Sequence, residues 1–331
     1  MSAYEVVEPP IDAVVTWVDG DDPQHRAKLN EYLASVGCSP RSASSTRFAH
    51  VGELDYCVAS LLRFAPWLRR IHIVTDQQTP ELVSRVASKY NGTEVVVVDH
   101  TAIFRGYENH LPTFNSIAIE TMLWRIPGLT EQFIYLNDDF MLLKPLQPGD
   151  FFQEGRSVLR GWWNWSPQKR WDKRLRSWFK GSAERASGRP KNREAQARGA
   201  EIAGYRKKYL RVPHNPHALL RSTLDQFSAE RPDLVEHNIQ YRLRSSEQFL
   251  MDAVGRHLDL GAGRAVVDNR LRTLRLKPED HTLRSLTGFL EKAERSPEVA
   301  FACVQSLDQV DEPIRREVLS WLDRVIGSPF E

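Results

Sequence analysis

Two adjacent aspartates, Asp138 and Asp139, give the strongest chemical signal in this sequence. They follow the run FIYL (133–136), which is typical of a buried strand, and Asn137 separates them from it. Neighbouring carboxylates repel each other, and a divalent cation between them would remove that repulsion. Mg²⁺ takes oxygen ligands, commonly one or two carboxylates with phosphate oxygens and waters. The pair therefore indicates a site for a metal-bound diphosphate, although Asn-Asp-Asp could instead form a turn or a helix cap.

The stretch TWVDGDDP (16–23) has a similar form near the start of the chain. Its apolar residues lead into Asp19 and Gly20, and two further aspartates follow. Gly20 permits a tight turn and a close approach of a ligand to the backbone. For this stretch alone, an ordinary Asp-Gly turn is the simpler interpretation.

A histidine and an arginine in the second half of the chain could complete such a site. The motif HNPH contains His214 and His217, and no cysteine or further histidine lies nearby in the sequence. A single histidine acting as general base is more plausible than a metal site, because its pKa lies near neutrality. Arg244 could bind a phosphate group through two hydrogen bonds. Either residue could instead be an ordinary hydrogen-bonded histidine or a solvated arginine.

Residues 156–211 are basic and rich in tryptophan. They contain 17 Lys or Arg against 4 Asp or Glu, and five of the nine tryptophans. The stretch could form an aromatic floor for a sugar, a patch for anionic lipid or polysaccharide, or a solvated helix with some buried tryptophan. Its part 181–199 is expected to be flexible. No recognised nucleic-acid-binding module is present, so nucleic acid is not an expected partner.

The elements that must position these residues alternate between strand and helix patterns. Near-continuous apolar runs predict strands that are covered on both faces, as in a parallel sheet. Helical spacing appears between them and again at about 313–326. The pattern predicts an open, doubly wound α/β sheet, in which ligands bind beyond the carboxyl ends of the strands. Asp19, Asp76, Asp99 and Asp138 all follow predicted strands, so that edge is expected to be acidic. The predicted strands are 11–18, 71–75, 94–99 and 133–136.

Two internal helices are predicted from apolar stripes. The first stripe comprises Leu54, Val58, Leu61 and Leu62. The second runs from Ile119 to Ile126 and is expected to be capped by Thr113, Asn115 or Ser116 and to stop at Pro127-Gly128.

Bulk properties exclude several classes of protein. The chain has 331 residues, 41% of them hydrophobic, and a formal net charge of +2. No apolar run reaches the roughly 18 residues of a membrane span. The N-terminal residues lack the features of a signal peptide, and the three cysteines match no zinc spacing. A cytoplasmic protein is expected, and peripheral contact with the inner face of the membrane through 156–211 is left open.

Several long blocks resemble the conserved regions of the Stealth family. That family includes bacterial capsular polysaccharide phosphotransferases and the catalytic subunit of the lysosomal-enzyme N-acetylglucosamine-1-phosphotransferase. The blocks occur in the family's order and extend over nearly the whole chain. They are IDAVVTWVDGDDP (11–23), GELDYCVASLLRFAPWLRRIHIVTDQQTP (52–80), LPTFNSIAIETMLWRIPGLTEQFIYLNDDF (111–140), VPHNPHALL (212–220) and SPFE (328–331).

The resemblance implies transfer of a sugar 1-phosphate, N-acetylhexosamine 1-phosphate by analogy, from a nucleotide-diphosphate sugar such as UDP-GlcNAc to a hydroxyl of a glycan. Mg²⁺ or Mn²⁺ is the implied cofactor. The implied fold is a glycosyltransferase-like α/β core with helical additions. Three regions are expected: a nucleotide-sugar-binding core at 8–155, the basic, partly flexible insertion at 156–211, and a mostly helical part at 212–331 that completes the active site.

By position in the matching blocks, the resemblance also implies site residues. His214 would be the base, Asp138 and Asp139 the metal ligands, and Arg244 a phosphate ligand with Glu247 as its acid. The implied substrate-binding set is completed by Asp19, Gly20, Arg47, Glu53, Asn115 and Asp308.

Three departures from the family pattern put some of these implied site residues in question. Asp55 stands where the family usually has arginine, and His50-Val51 replaces an expected Asp-Asn pair. The fourth region, commonly Cys-x-Asn-Asp, reads CVQSLD here, so Asp308 would have to serve through a shifted turn. The alternatives are an ordinary glycosyltransferase with the same donor, or a non-catalytic carbohydrate-binding relative.

Overall fold

The computed structural model describes residues 9–37, 52–89, 92–167 and 192–329. Within these ranges, short 3₁₀ turns connect several of the helices and strands. The strands are β1 (Ile11–Thr16), β2 (Arg70–Thr75), β3 (Glu94–Asp99), β4 (Gln132–Asn137), β5 (Phe140–Leu142), β6 (Phe152–Gln153), β7 (Arg156–Leu159), β8 (Trp162–Trp165), β9 (Lys208–Arg211), β10 (His217–Leu220), β11 (Ala265–Val267), β12 (Arg272–Leu276) and β13 (Val299–Val304).

The helices alternate with the strands in the first half of the chain and predominate in the second. They are α1 (Pro23–Ser35), α2 (Glu53–Phe64), α3 (Leu82–Lys89), α4 (His100–Ile103), α5 (Ser116–Met122), α6 (Asn192–Ile202), α7 (Arg221–Glu230), α8 (Pro232–Ile239), α9 (Met251–Gly261), α10 (Leu283–Arg295) and α11 (Glu312–Ile326). Among the described residues, none of these helices has both the length and the apolar character needed to cross a bilayer.

A five-stranded sheet in the order β10-β4-β1-β2-β3 forms the centre of the molecule. The first four strands of the chain run parallel, and β10 pairs antiparallel with β4. Both faces are covered: Val15 and Ile134 join one buried cluster, whereas Val14 and Tyr135 join another. The prediction of an α/β fold with a mostly parallel sheet is therefore confirmed, and the four predicted strands match β1 to β4 within two residues.

The register of this sheet aligns the strand ends that lead into the candidate site. Thr16 lies opposite Asn137 on one side and Val74 on the other. Because parallel strands end at the same edge, the segments after β1, β2 and β4 leave the sheet side by side. The aspartates after β4 are thus placed beside the loop after β1.

The predicted helices are present with one change of length. The stripe Leu54, Val58, Leu61 and Leu62 is buried on α2. The second stripe begins as predicted, with the Asn115 side chain capping α5, but α5 ends at Met122 and a 3₁₀ turn continues to Arg125. The last predicted helix is α11, which buries Val318, Trp321 and Leu322.

A second sheet brings a distant part of the chain to the aspartate turn. β5, which starts directly after Asp139, pairs antiparallel with β13, so that Phe140 lies opposite Cys303. The amide of Val304 donates to the Asp139 carbonyl oxygen at 3.0 Å. β12 completes this sheet on the other side of β13. The apolar patterns in the second half of the sequence did not predict β10 to β13.

The basic stretch 156–211 is tied to its surroundings. β7 pairs with β6 and with β11, and β8 pairs with β9. Residues 192–199 belong to α6, whose Ala195, Gln196 and Ala197 are buried. This segment was also expected to pack poorly, but Ala195 packs against Leu250 and Ala253, and Ala197 packs against Tyr209. The rest of that segment, 181–191, lies outside the described residues.

Candidate active site

A cavity of about 280 Å³ opens at the carboxyl edge of the central sheet, and we call it the carboxylate cavity. Its walls come from the loop after β1, the first residues of α2 and α5, the turn after β4 and the turn after β13. The lining residues used below are Trp17, Glu53, Ser116, Asp138, Asp139 and Asp308.

The aspartate pair has strongly perturbed acidity. Burial raises the pKa of Asp138 well above its usual range, and the nearby Asp139 and Glu53 carboxylates raise it further. Burial also raises the pKa of Asp139 to about 7, in spite of the hydrogen bond from Cys303, and Glu53 adds to the increase. Desolvation and like charges both disfavour the ionised form. Positive charge would therefore be stabilised strongly here.

The residues present fit a divalent cation. Oδ1 of Asp139 is buried and has no hydrogen-bond partner, while Oδ2 accepts from the Cys303 thiol at 3.4 Å. The side chains offer hard carboxylate oxygens, as Mg²⁺ and Mn²⁺ prefer. Within the described residues, no group of three or more metal-ligating side chains is gathered. A cation at the pair would thus take its remaining ligands from substrate oxygens and water.

Glu53 and Asp308 reach the same cavity from opposite ends of the chain. Glu53 opens α2 after Gly52, which adopts the left-handed conformation with φ 91° that favours glycine. Ser306 also has a positive φ, 57°, and turns the chain so that Asp308 lines the cavity. Burial raises the pKa of Asp308. The shifted turn expected for the fourth region is therefore present in the structure.

A second cavity of about 170 Å³ adjoins the first, and we call it the histidine cavity. The two cavities share Ser116, Asn137 and Arg244 as lining residues. Consequently the aspartate pair and His214 lie on either side of one narrow boundary. The other residues that line the histidine cavity include Glu120, Tyr135, Gln196, His214, His217 and Asp252.

His214 is suited to accept a proton. Its ring packs edge-on against Phe140, with centroids 6.3 Å apart. Burial lowers its pKa, and the cations of Arg275, Arg211 and Arg244 lower it further. The imidazole is therefore neutral at pH 7 and free to act as a base.

His217 has a different environment, which the motif alone could not reveal. It lies in β10 opposite Tyr135, stacks on that ring at 6.1 Å, and places Nδ1 3.4 Å from Oδ2 of Asp252. Burial lowers its pKa to about 4, against the effect of Asp252. His217 thus lines the same cavity as His214, but its ring is held by Tyr135 and Asp252. The interpretation of a single active histidine stays a prediction.

Glu120 was missed by sequence reasoning. Burial raises its pKa to about 7, and the Asp252 charge adds to this, whereas Arg244 and hydrogen bonds from Ser116 and Tyr135 oppose it. The available signal was its position on α5, four residues after Ser116 and hence on the same face of the helix. Glu120 is a further candidate for proton handling.

Arg244 lies across the boundary between the cavities. It is exposed, and its guanidinium donates to the Ser116 hydroxyl. Glu247, predicted as its acid, is exposed and lines neither cavity, and no ion pair joins the two among the described residues. The guanidinium therefore stays available to an anionic ligand.

Asn115 supports the site from beneath. It is fully buried, and its amide nitrogen donates to the Tyr241 carbonyl at 2.7 Å and to Oε1 of Gln248 at 2.9 Å. These bonds hold the segment that carries Arg244 against α5. The structure gives Asn115 this scaffold role in place of the predicted substrate contact.

The loop after β1 lines the carboxylate cavity through Trp17 and Val18, but not through the predicted residues Asp19 and Gly20. Oδ1 of Asp19 accepts from the Asp21 amide, and the backbone of Asp19 bonds on both sides to Gln78. Neither Asp19 nor Gly20 lines either cavity, so this stretch forms the ordinary turn that was the simpler interpretation. Arg47 lies outside the described residues.

The acidic edge is only partly directed at the cavities. Lys28 and His25 lower the pKa of Asp76 to about 2, although burial opposes them, and Asp99 caps α4. The charges of these two carboxylates are therefore stabilised by ion pairs or hydrogen bonds of the scaffold, whereas burial disfavours the charges of Asp138 and Asp139.

Comparison with known protein families identifies the chain. Residues 9–37 match the model of Stealth conserved region 1, and residues 47–159 match that of Stealth conserved region 2. The chain belongs to the Stealth protein family. The matched segments contain Trp17, Glu53 and the aspartate pair of the carboxylate cavity, and Glu120 of the histidine cavity.

Two bacterial phosphotransferases are similar to part of this chain. A capsular polysaccharide phosphotransferase of Streptococcus pneumoniae is 41% identical over 145 residues, which are 44% of this chain and 42% of that protein. An exopolysaccharide phosphotransferase of Streptomyces coelicolor is 35% identical over 248 residues, 73% of this chain and 38% of the relative. The matches thus span about two fifths of the length of these relatives.

Two solved structures resemble the Stealth chain at low sequence identity. Apo mouse xyloside xylosyltransferase 1 has a TM-score of 0.43 and 14% identity, covering 89% of this chain and 98% of the other. Galactosyltransferase LgtC, in complex with donor and acceptor sugar analogs, has a TM-score of 0.44 and 13% identity, covering 96% and 97%. Both are distant structural neighbours.

Proposed function

We propose that this Stealth protein transfers a sugar 1-phosphate from a nucleotide-diphosphate sugar to a hydroxyl of a polysaccharide. One observation carries the proposal: a desolvated carboxylate pair and a neutral histidine line adjoining cavities, and an exposed arginine lies at their boundary. The names of the similar capsular and exopolysaccharide phosphotransferases support it. N-acetylhexosamine 1-phosphate is the transferred group we propose to test first.

The donor diphosphate would lie in the carboxylate cavity. Asp138 and Asp139 would hold Mg²⁺ or Mn²⁺, which when bound neutralises charge on the diphosphate oxygens. Arg244 would bind the phosphoryl group at the boundary, where it can stabilise the charge that develops during transfer. Glu120, close to Arg244 in the histidine cavity, would help to hold that guanidinium in place.

The acceptor hydroxyl would enter from the histidine cavity. His214 takes the hydroxyl proton on its ring nitrogen while the acceptor oxygen attacks the phosphorus that bears the sugar. The bond from that phosphorus to the bridging oxygen breaks, and a nucleoside monophosphate leaves. The bond between the sugar C1 and its oxygen is not broken, so the anomeric configuration is kept.

The deciding experiment is a screen of UDP- and GDP-sugars with Mg²⁺ or Mn²⁺, assayed for released UMP or GMP. Water can serve as a weak acceptor, so the polysaccharide is not needed. A donor labelled in the sugar-proximal phosphate should pass its label to an acceptor glycan when one is added. Release of nucleoside diphosphate with an unlabelled product would identify an ordinary glycosyltransferase instead.

Asp138→Asn is the variant that ties turnover to the site. It is expected to lower the release rate by about 10²–10³, the usual loss when one charge-stabilising group is removed. Asp225→Asn, at an exposed position of α7, is the matched control and should leave the rate unchanged. Donor binding without turnover by the wild-type chain would favour a non-catalytic carbohydrate-binding protein.

A further inference from the structure

Three tryptophans are exposed next to one another on β8. Trp162, Trp163 and Trp165 are 49%, 48% and 59% exposed, although tryptophan side chains are usually largely buried. Contiguous exposed aromatic surface of this kind marks interaction sites in soluble proteins. Neither cavity described above includes these residues.

The tryptophans belong to a two-stranded ribbon formed by β8 and β9, residues 162–165 and 208–211, which we call the tryptophan ribbon. Residues two apart in a strand share a face, so Trp163 and Trp165 lie side by side about 7 Å apart. Trp163 stacks on Tyr205 at 5.9 Å, and Nζ of Lys208 lies 4.6 Å from the Trp165 ring centroid. The two rings are thus backed by protein on one side.

The ribbon is held to the rest of the protein by hydrogen bonds at Gly161, the residue directly before β8. The Gly161 amide donates to Oδ1 of Asn269 at 2.8 Å, and its carbonyl accepts from Nδ2 of the same residue at 2.9 Å. A Cβ at Gly161 would lie 2.4 Å from the Arg211 carbonyl oxygen, so the strands approach more closely than another residue would allow. The aromatic row is therefore a preformed surface.

The surface beside the row is positively charged. A shallow depression of about 510 Å³ is lined by Trp163, Trp165 and residues 204–208. Its described lining residues include Arg206, Lys207 and Lys208 and no acidic side chain. Aromatic rings stack on the apolar faces of sugars, and the cations would pair with anionic groups between them.

We propose that the tryptophan ribbon binds an acidic segment of the acceptor polysaccharide. Sugar rings stack on Trp163 and Trp165, and phosphodiester groups face Arg206, Lys207 and Lys208. This inference rests on the proposed function, because each transfer of a sugar 1-phosphate leaves one phosphodiester, and one negative charge, in the product. A glycan already extended by this reaction has the chemistry that the ribbon recognises.

The ribbon leads directly to the histidine cavity. β9 ends at Arg211, whose guanidinium lies 5.5 Å from the Trp162 ring and whose charge lowers the pKa of His214. The six residue-to-residue steps from Lys208 to His214 span at most about 20 Å of extended chain. A polysaccharide held on the ribbon can therefore extend an acceptor hydroxyl into the cavity a few sugar units away.

The ribbon geometry favours a glycan over a bilayer. Trp162 points to the face opposite Trp163 and Trp165, because successive side chains of a strand alternate. Insertion into a membrane interface needs its apolar side chains on one common face. A glycan chain needs only the narrow row formed by Trp163 and Trp165.

The test measures binding of phosphomannan, a phosphodiester-containing glycan, to the full chain by calorimetry, with neutral mannan as the uncharged glycan. The double variant Trp163→Ala/Trp165→Ala should weaken phosphomannan binding at least about tenfold. Leu283→Ala, which removes an exposed apolar side chain from α10, is the control and should bind like wild type. Release of nucleoside monophosphate with water as acceptor should be the same in all three proteins.

The outcomes separate this inference from the proposed function. Tight phosphomannan binding that the double variant loses, with monophosphate release intact, supports the ribbon as an acceptor site. Equal binding by wild type and double variant, no binding by wild type, or equal affinity for neutral mannan overturns it. So does ribbon-dependent binding to vesicles of equimolar phosphatidylcholine and phosphatidylglycerol without binding of phosphomannan. Failure of monophosphate release in the wild type would instead count against the proposed function alone.

Discussion

Asp139→Asn should stabilise the fold in the absence of divalent cations while destroying activity. The carboxyl group of Asp139 is buried beside Asp138 and Glu53, and its pKa is raised from 3.8 to about 7. At neutral and alkaline pH the native protein therefore carries an ionised group that its surroundings disfavour. The amide of asparagine has nearly the same shape and no charge, so it removes this penalty.

The sign and size of the effect follow from the proton linkage. A carboxyl whose pKa is raised in the folded state binds its proton more tightly than the unfolded chain does. Its contribution to stability is complete below about pH 4 and is lost as the pH rises to about 7. A difference of about three pH units corresponds to at most about 4 kcal/mol, at about 1.4 kcal/mol for each. The free energy of unfolding of the variant should therefore rise relative to that of wild type between about pH 4 and pH 7, and should stay higher above pH 7.

Urea denaturation in EDTA at pH 5 and at pH 8 measures the difference. At pH 8 the free energy of unfolding of Asp139→Asn should exceed that of wild type by a few kcal/mol, and at pH 5 by clearly less. Adding Mg²⁺ or Mn²⁺ at pH 8 should raise the wild-type value and leave the variant nearly unchanged, because a ligand that binds only the folded state stabilises it. Asp225→Asn, exposed on α7, should match wild type throughout.

A variant less stable than wild type at pH 8 would refute this reasoning. The hydrogen bond from Cys303 and the backbone bonds of the turn would then outweigh the charge penalty. A stability difference that does not change between pH 5 and pH 8 would show that Asp139 is not the titrating group.

Two further perturbations test the site and the tryptophan ribbon. His214→Ala should lower monophosphate release by about 10²–10⁴, the range for loss of a general base, while His281→Ala keeps the wild-type rate. At saturating Mg²⁺, which keeps the Asp138 and Asp139 carboxylates ionised, the acid limb of the pH profile of wild-type kcat/KM should lie below pH 6.5, because the pKa of His214 is lowered. An unchanged rate in His214→Ala would remove that residue from its assigned role. Gly161→Ala should destabilise the protein by about 1–3 kcal/mol, as overpacking does, because its Cβ would meet the Arg211 carbonyl oxygen at 2.4 Å. Gly288→Ala, in open space on α10, should instead be neutral or stabilising, and an equal loss of stability in both glycine variants would contradict the close approach at Gly161.

The central sheet was accessible from the sequence because its strands are buried on both faces. Runs such as IHIVT (71–75) and FIYL (133–136) are apolar at nearly every position, as a strand buried on both faces requires. EVVVVD (94–99) has the same pattern, although β3 lies at the edge of the sheet and is only partly buried. The aspartate pair was found for a related reason, since ionisable residues at a strand exit contrast sharply with the apolar run before them. Asp308 was named only through the resemblance of its region; it lines the carboxylate cavity, and its role in substrate binding stays a prediction.

What the sequence could not supply depends on long-range pairing and on the local environment of polar groups. His214 and His217 look alike in HNPH. Both line the histidine cavity, and only the folded structure shows that His217 stacks on Tyr135 and lies beside Asp252 while His214 packs against Phe140. Glu120 occupies an ordinary polar position of an amphipathic helix, so the sequence pattern does not show that its carboxyl group is desolvated. Asn115 was predicted to contact substrate, and its neighbour Ser116 does line the carboxylate cavity. The side chain of Asn115 itself is buried and hydrogen-bonded to the 241–248 segment.

The pairing of β5 with β13 has a consequence for how this protein matures. Asp139 and Cys303, which share a hydrogen bond, are 164 residues apart in the chain. Closing so long a loop is slow, because its entropy must be lost before the contact forms. During synthesis, the nascent core could assemble its parallel sheet long before residue 304 leaves the ribosome, but the aspartate turn would still lack its partner strand. Completion of the aspartate turn would therefore be a late event, separate from the collapse of the sheet on which it rests.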